Sequence, residues 1–304
     1  MNLRDLRYLV EVARYRHFGR AAEASHVSQP TLSAQLKKLE AFLGVILVER
    51  TNKQVMLTPI GEEVATRARY ILSAADDIIE VSRAASDPMA GDIRLSLIPT
   101  VAPYLLPHLV PAIREHLPRL RPMLYEDQTA HLLDRLRRGE VDAGILALPV
   151  DGADSFAQEA LYDEPFLLAA PRGHPLVDTD RIDLKRLSGE RLLLLEEGHC
   201  LRDQALDVCK LVGAREEREF RATSLETLRQ MVAAGAGITL LPELAANPSL
   251  ANASAVVLHR FVSPPPLRHI AMVWRKGSPR EPAVKAIAET VQGLESIRNL
   301  GADQ

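Results

Sequence analysis

Cys200 and Cys209 are the only two thiols in a chain of 304 residues, and they lie nine residues apart in the stretch EEGHCLRDQALDVCKLVG. The stretch has helical character and stops at Gly213, with Leu201, Ala205, Val208, Cys209 and Val212 on its apolar side. Cys200 falls at the N-terminal edge, where a helix dipole favours a thiolate. His199 and Arg202 add cationic or hydrogen-bonding groups beside it. Cys209 falls on the buried side, where a thiol is inert. Nine helical residues separate the two Cα atoms by roughly 13 Å, whereas a disulfide needs less than ~7 Å. A bond between them therefore requires the helix to unwind, and a refolded segment alters whatever packs on it. Two thiols alone make a poor metal site, and there is no CxxC pair. The alternative is two unrelated core thiols.

The elements that must hold these thiols alternate between strand and helix. DIRLSLIP, PMLYEDQ, VDAGILAL, PFLLAAP, ERLLLLEE, EFRAT, ITLLP and HIAMVW read as strands, with helices at LLPHLVPAIREHL and HLLDRLRRG. Such alternation points to open α/β sheets with a cleft at the strand C-terminal ends. Three strand ends matter. One closes at Thr100, one at Thr129 and one at Cys200, the last two just before helices. Hydroxyls at Thr100 and Thr129 can serve a small ligand in that cleft, or act as ordinary helix N-caps.

The first seventy residues differ in kind. They carry 11 Lys and Arg against 7 Asp and Glu, while the remainder carries 26 against 33. A basic head on an acidic body points to nucleic acid at the N-terminus. LRDLRYLVEVAR places Leu3, Leu6, Leu9, Val10 and Ala13 on one helical face. FGRAAEAS is a short second helix, and HV turns the chain. SQPTLSAQLKKLEAFLG is a third helix, N-capped by Ser28, with Pro30 in its first turn, Leu32, Leu36, Leu39 and Leu43 as its core stripe, and Gly44 as its stop. Two helices joined by a tight turn make a helix-turn-helix. Its second helix would offer Gln29, Thr31 and Ser33 as hydrogen-bonding groups to base edges in the major groove and Pro30 to a thymine methyl, with Ser28 at its start among the DNA-binding residues and Lys37 and Lys38 suited to phosphates. VILVERTNKQVMLT then reads as a wing, with Arg50 and Lys53 placed for backbone or minor-groove contact. Thr58 and Pro59 start a helix of roughly 28 residues, ~40 Å long. Ile60, Val64, Ile71, Ala74, Ile78, Val81 and Ala85 follow a heptad seam interrupted by Arg67, as in a dimerisation helix.

Composition sets the outer bounds. An apolar fraction of 47% is enough for substantial cores. The charged start MNLRDLRYLV is unlike a signal peptide, and no run of 18 apolar residues appears. A cytoplasmic protein without membrane contact, in which a purely structural disulfide is unexpected, is the reading that follows.

The stretch FGRAAEASHVSQPTLSAQLKKLEAFLGVILVERTNKQVMLTPIGE resembles the winged helix-turn-helix of LysR-type transcriptional regulators. LIPTVAPYLLPHLVP, EEGHCLRDQALDVC and RATSLETLRQMVAAGAGITLLP are similar to the peroxide-sensing members of that family, over nearly the full chain. The resemblance implies an α/β architecture: an N-terminal winged helix-turn-helix over 1–58, a long linker helix over 59–88, and a regulatory domain over 89–304. That domain would be periplasmic-binding-protein-like, built of two Rossmann-like subdomains, the first from 89–162 and 268–304 and the second from 163–267.

The resemblance also implies chemistry. Cys200 would become a sulfenic acid and condense with Cys209, with hydrogen peroxide as the signal and no cofactor or metal. Thr100, Thr129 and His199 match the family's peroxide-site groups, and Arg268 matches an arginine linked to thiolate activation. Implied partners are double-stranded promoter DNA, further copies of the chain in a dimer or tetramer, RNA polymerase, and a reducing dithiol system of glutaredoxin or thioredoxin type. Two other readings stay open: a LysR-type regulator gated by a small metabolite in the subdomain cleft, and a thiol peroxidase, which the DNA-binding head disfavours.

Overall fold

The computed structural model describes residues 1–50, 55–84, 87–246 and 255–301. The chain divides near residue 86 into two compact units.

The first unit opens with α1 (Leu3–Tyr15), closed at its start by a reciprocal pair of bonds between Asn2 and Asp5. The buried face of α1 is Leu6, Tyr8, Leu9 and Val12, whereas Leu3 is exposed and Val10 and Ala13 are half-buried. The expected face is thus rotated. The reason is that α1 packs on three helices rather than one, so its buried arc swings toward Tyr8 and Val12. α2 (Phe18–Ala24) follows, capped by the His17 ring and buried through Ala21 and Ala22. α3 (Gln29–Leu43) begins at the Ser28 cap, buries Leu32, Leu36 and Leu39, and ends at Gly44 with a φ of 70°. The wing consists of β1 (Val48–Arg50) and β2 (Val55–Leu57), paired antiparallel. The Glu40 carboxylate accepts the Leu47 and Val48 N–H groups at 2.9 and 3.1 Å and so fixes the wing to α3.

α4 (Pro59–Ala84) is 26 residues long, about 39 Å. Thr58 caps it as the sequence predicts: its hydroxyl accepts the Gly61 N–H at 3.0 Å and donates to the Ile46 carbonyl at 2.7 Å. Ala65 and Ala68 face the core, while Ile60, Ala74, Ile71 and Ile78 stay exposed, Ile78 at 72%. Val64 is half-buried; Ala85 and the Val81 side chain lie outside the described residues. Gly61, the one apparent breaker near the start, is required for space. A methyl group there would sit 2.0 Å from the Leu47 carbonyl oxygen.

The second unit is a set of strands and helices: β3 (Gly91–Leu97), α5 (Ala102–His116), β4 (Leu120–Glu126), α6 (Thr129–Arg137), β5 (Ala143–Leu148), β6 (Ala157–Pro171), β7 (Arg181–Ile182), β8 (Arg191–Leu195), α7 (Cys200–Val212), β9 (Arg215–Ala222), α8 (Leu225–Ala233), β10 (Thr239–Pro242), β11 (Val256–Phe261), β12 (Leu267–Trp274), α9 (Glu281–Gly293) and α10 (Glu295–Arg298). The strands run in the order β4-β3-β5-β12-β6-β11-β7, with β10 also on β6. The long strand β6 serves both halves. Its residues 157–165 pair with β12, and its residues 166–171 pair with β10 and β11. β8 and β9 form a parallel pair beside them.

Each half is a Rossmann-like subdomain with its own hydrophobic core. The first core gathers Ile93, Leu95, Leu97, Leu132, Ile145 and Met272. The second gathers Leu168, Leu193, Ala205, Leu228, Leu240 and Phe261. Among the described residues no helix is long and apolar enough to cross a membrane. Gly61→Ala is expected to destabilise the first unit by about 1–3 kcal/mol, because the clash is with backbone rather than with a yielding side chain. Urea unfolding followed by circular dichroism checks it; an unchanged midpoint would contradict the close approach.

Candidate functional site

Cys200 is the first residue of α7 and Cys209 belongs to its last turn, both as free, buried thiols. Gly213 ends the helix with a φ of 75°, as the sequence predicts. The two sulfurs belong to different cores. Cys200 packs in the first subdomain's core. Cys209 packs in the second's. α7 thus rests on the second subdomain and places its leading residue in the first. Burial pushes the Cys209 thiol up, with Glu216 acting in the same direction. It is held as a protonated, weakly reactive group.

The turn before α7 is tightly held. Gly198 has a φ of 97°, and a methyl group there would lie 2.8 Å from the Gln128 amide oxygen. Gln128 reaches across from the end of β4, its Nε2 lying 3.4 Å from His199 Nε2. His199 is buried, and that burial pushes its imidazole below the ordinary value, against an opposing pull from Glu196 and Glu126. Of the two roles the sequence leaves open for His199, cation or hydrogen-bonding group, its burial disfavours the cation beside Cys200. Arg202 differs from expectation. Its guanidinium donates to Glu216 at 2.9 Å and turns toward β9.

The hydroxyls of Thr100 and Thr129 are not helix caps. Thr100 is buried and its Oγ1 accepts from Arg268 Nη1 at 3.0 Å, while α5 starts without a side-chain cap. Thr129 Oγ1 is buried with no hydrogen-bond partner. A buried orphan hydroxyl costs free energy and marks a place for a polar ligand or water. The loop that carries it is fixed by Asp127, which accepts from Ser96 at 2.7 Å, Arg135 at 2.6 Å and His131 at 2.7 Å. Burial pushes the Asp127 carboxyl up, but those hydrogen bonds together outweigh it and hold the group below its ordinary value.

Residues of the turn line two cavities. One, of about 410 Å³, is lined by Thr100, Tyr104, Gln128, His199, Ser224 and Arg229 among others. The other, of about 680 Å³, is lined by Thr129, Leu133, Cys200, Asp203 and Gln204 among others. Thr100 and His199 are thus brought together on one side, and Thr129 and Cys200 on the other. Arg268 meets this region through its hydrogen bonds to Thr100, and its ion-pair partner is Glu164. Gln128, Gly198 and Glu164 are the contributors that sequence reasoning missed. Gly198 alone left a trace, as a glycine directly before the His-Cys pair.

In the first unit, Gln29, Pro30, Thr31, Lys37 and Lys38 are exposed, and Ser33 is half-buried. Ala34 is exposed among them. The Ser28 hydroxyl is engaged as the cap, accepting the Thr31 N–H at 3.3 Å and pairing with the Thr31 hydroxyl at 2.8 Å. Arg50 ends β1, but its side chain lies outside the described residues, as does Lys53.

Comparison with known proteins follows this division. Residues 3–62 match the bacterial regulatory helix-turn-helix of the LysR family, and residues 86–294 match the LysR substrate-binding domain. The DNA-binding transcriptional dual regulator OxyR of Escherichia coli K12 is 47% identical over 292 residues, covering 96% of this chain and 95% of that protein. The chain belongs to the LysR family, in its OxyR group. A full-length OxyR variant from Pseudomonas aeruginosa superposes with a TM-score of 0.80 at 38% identity, over 100% of this chain and 99% of that one. The oxidized form of OxyR matches with a TM-score of 0.63 at 45% identity, over 72% of this chain and 100% of the other.

The lowered His199 value fixes a sign. The stabilisation from a neutral, buried imidazole is fully present above the ordinary His value of about 6.5 and is lost as pH falls through the folded value. Wild type should therefore lose stability between about pH 7.5 and 5.5 more steeply than His199→Asn. Denaturant midpoints at the two pH values check this, and equal slopes would contradict it.

Proposed function

We propose that the chain is a peroxide-responsive, DNA-binding transcription activator whose switch is the pair Cys200 and Cys209. The observation that carries the reading is that one helix buries a thiol in each of two separate cores. The Cys200 thiolate attacks hydrogen peroxide and becomes a sulfenic acid, and the Cys209 thiol condenses with it to a disulfide and water. With the two Cα atoms roughly 13 Å apart, the bond forms only if α7 unwinds and Cys200 leaves the first core. Thr129, with its orphan hydroxyl, and Thr100 and His199 in the other cavity are the groups that would hold the peroxide. Arg268 acts on them through Thr100.

The functional division is a DNA-binding domain over 1–58, a linker and dimerisation helix over 59–88, and a redox-sensing domain over 89–304. Its subdomains are 89–162 with 268–304, and 163–267. Gln29, Pro30, Thr31 and Ser33 read bases in promoter DNA; Ser28, Lys37, Arg50 and Lys53 set the register on the backbone. The exposed seam of α4 through Ile71 and Ile78 is suited to a second copy of the chain. The assembly is a homodimer paired into a homotetramer, which works in the cytoplasm with RNA polymerase. A glutaredoxin- or thioredoxin-type dithiol resets the disulfide. One peroxide is consumed per Cys200 before reset, so the protein is a sensor and not an enzyme, and it needs no cofactor.

Cys200→Ser is the deciding variant. It should abolish the effect of peroxide on the promoter footprint and on transcription. A peroxide response that survives it contradicts the proposal. A footprint that shifts with a small metabolite instead, in wild type and variant alike, would favour a metabolite-gated regulator.

A further inference from the structure

Glu164 lies on β6 where that strand passes between the subdomains, and its side chain has 0% exposure. Both of its oxygens are engaged. Oε1 accepts the Leu244 N–H at 2.9 Å, from the helical turn that follows β10 in the second subdomain. Oε2 accepts from Arg268 Nε at 2.9 Å and forms an ion pair with Nη2 at 2.8 Å, across the β6–β12 register. Arg268 then donates to Thr100 twice, to Oγ1 at 3.0 Å and to the carbonyl oxygen at 3.0 Å. A buried ion pair of this kind is a poor device for stability alone, because desolvation offsets its attraction.

Its effect on Thr100 is specific. A guanidinium offers donors only. Thr100 Oγ1 must therefore accept from Arg268, which leaves its own hydroxyl hydrogen for a partner in the cavity that Thr100 lines with His199. We infer that Glu164 is a positioning residue for peroxide reduction: it locks Arg268 onto Thr100 and so commits the Thr100 hydroxyl to donate toward the peroxide.

The inference rests on the proposed chemistry at Cys200. In that step an S–O bond forms between the thiolate and one peroxide oxygen, and the O–O bond breaks. Sulfur loses two electrons and the peroxide gains them. The departing oxygen leaves as hydroxide and takes up a proton to become water. A fixed donor at that oxygen stabilises the charge growing on it. Glu164 does not touch the peroxide; it acts through Arg268.

The test uses the reduced full-length protein and follows two rates at Cys200: sulfenic acid formation by hydrogen peroxide, and alkylation by iodoacetamide, which has no O–O bond to break. Gln at 164 presents a donor where a second acceptor is needed, so one of its two contacts is lost. Glu164→Gln should slow the peroxide reaction about tenfold and leave alkylation unchanged. Glu164→Asp keeps the charge if the Gln variant fails to fold. It is one methylene too short to hold both Leu244 and Arg268, and should slow the peroxide reaction in the same selective way. In a Thr100→Val background the Glu164 substitution should have no further effect.

A folded variant with an unchanged peroxide rate overturns the inference. So does a slowing shared equally by alkylation, or one that adds in full to Thr100→Val. If wild-type Cys200 reacts no faster than a free cysteine and Thr100→Val changes nothing, the peroxide reading itself fails, and the assignment of Glu164 with it.

Discussion

One helix with a buried thiol at each end sets the terms for the whole sensor. α7 is built on the second subdomain, yet its first residue completes the core of the first. Side chains in such cores pack at crystal-like density, so Cys200 has one well-defined reduced position. A covalent bond to Cys209 is incompatible with that position, since the helix rise alone keeps the pair roughly 13 Å apart. Reduced packing and the disulfide are therefore alternatives, which is what a bistable element requires.

The surrounding structure follows from that constraint. Gly198 lets Gln128 press against the turn, so the first subdomain senses the start of α7 directly. The Asp127 network fixes the loop that carries Thr129. At the crossing between subdomains, Glu164 contacts the backbone of one and, through Arg268, the loop of the other. Any rearrangement of α7 thus meets groups already tied to both halves. A disulfide that exists only at the expense of native helix is strained and readily reduced, as a resettable signal must be.

Much of this was legible in the sequence, and what was not has a common cause. Helix starts and stops at Ser28, Gly44, Thr58 and Gly213 are local chemistry, and they hold. Strands such as β3, β5, β8, β10 and β12 follow from short apolar runs, whereas the charged β9 and the two-residue β7 do not. What depends on partners far along the chain was out of reach. The buried face of α1 is set by the helices it meets, not by its own period. Arg202 is two residues from Cys200 in sequence but pairs with Glu216. The hydroxyls of Thr100 and Thr129 sit where caps are common, yet one is bound by Arg268, 168 residues away, and the other has no partner. Glu164 reads locally as a charge in a strand; only the folded register places it opposite Arg268.

The central claim is that oxidation and the helical state of α7 exclude each other. Amide hydrogen exchange of the full-length protein, reduced and after about one equivalent of peroxide, tests it once peptide mapping has verified the Cys200–Cys209 bond. Loss of protection through Cys200–Val212, restored by a dithiol, is the result this account predicts. A verified disulfide with α7 still protected would contradict it, because the bond would then have formed without unwinding the helix.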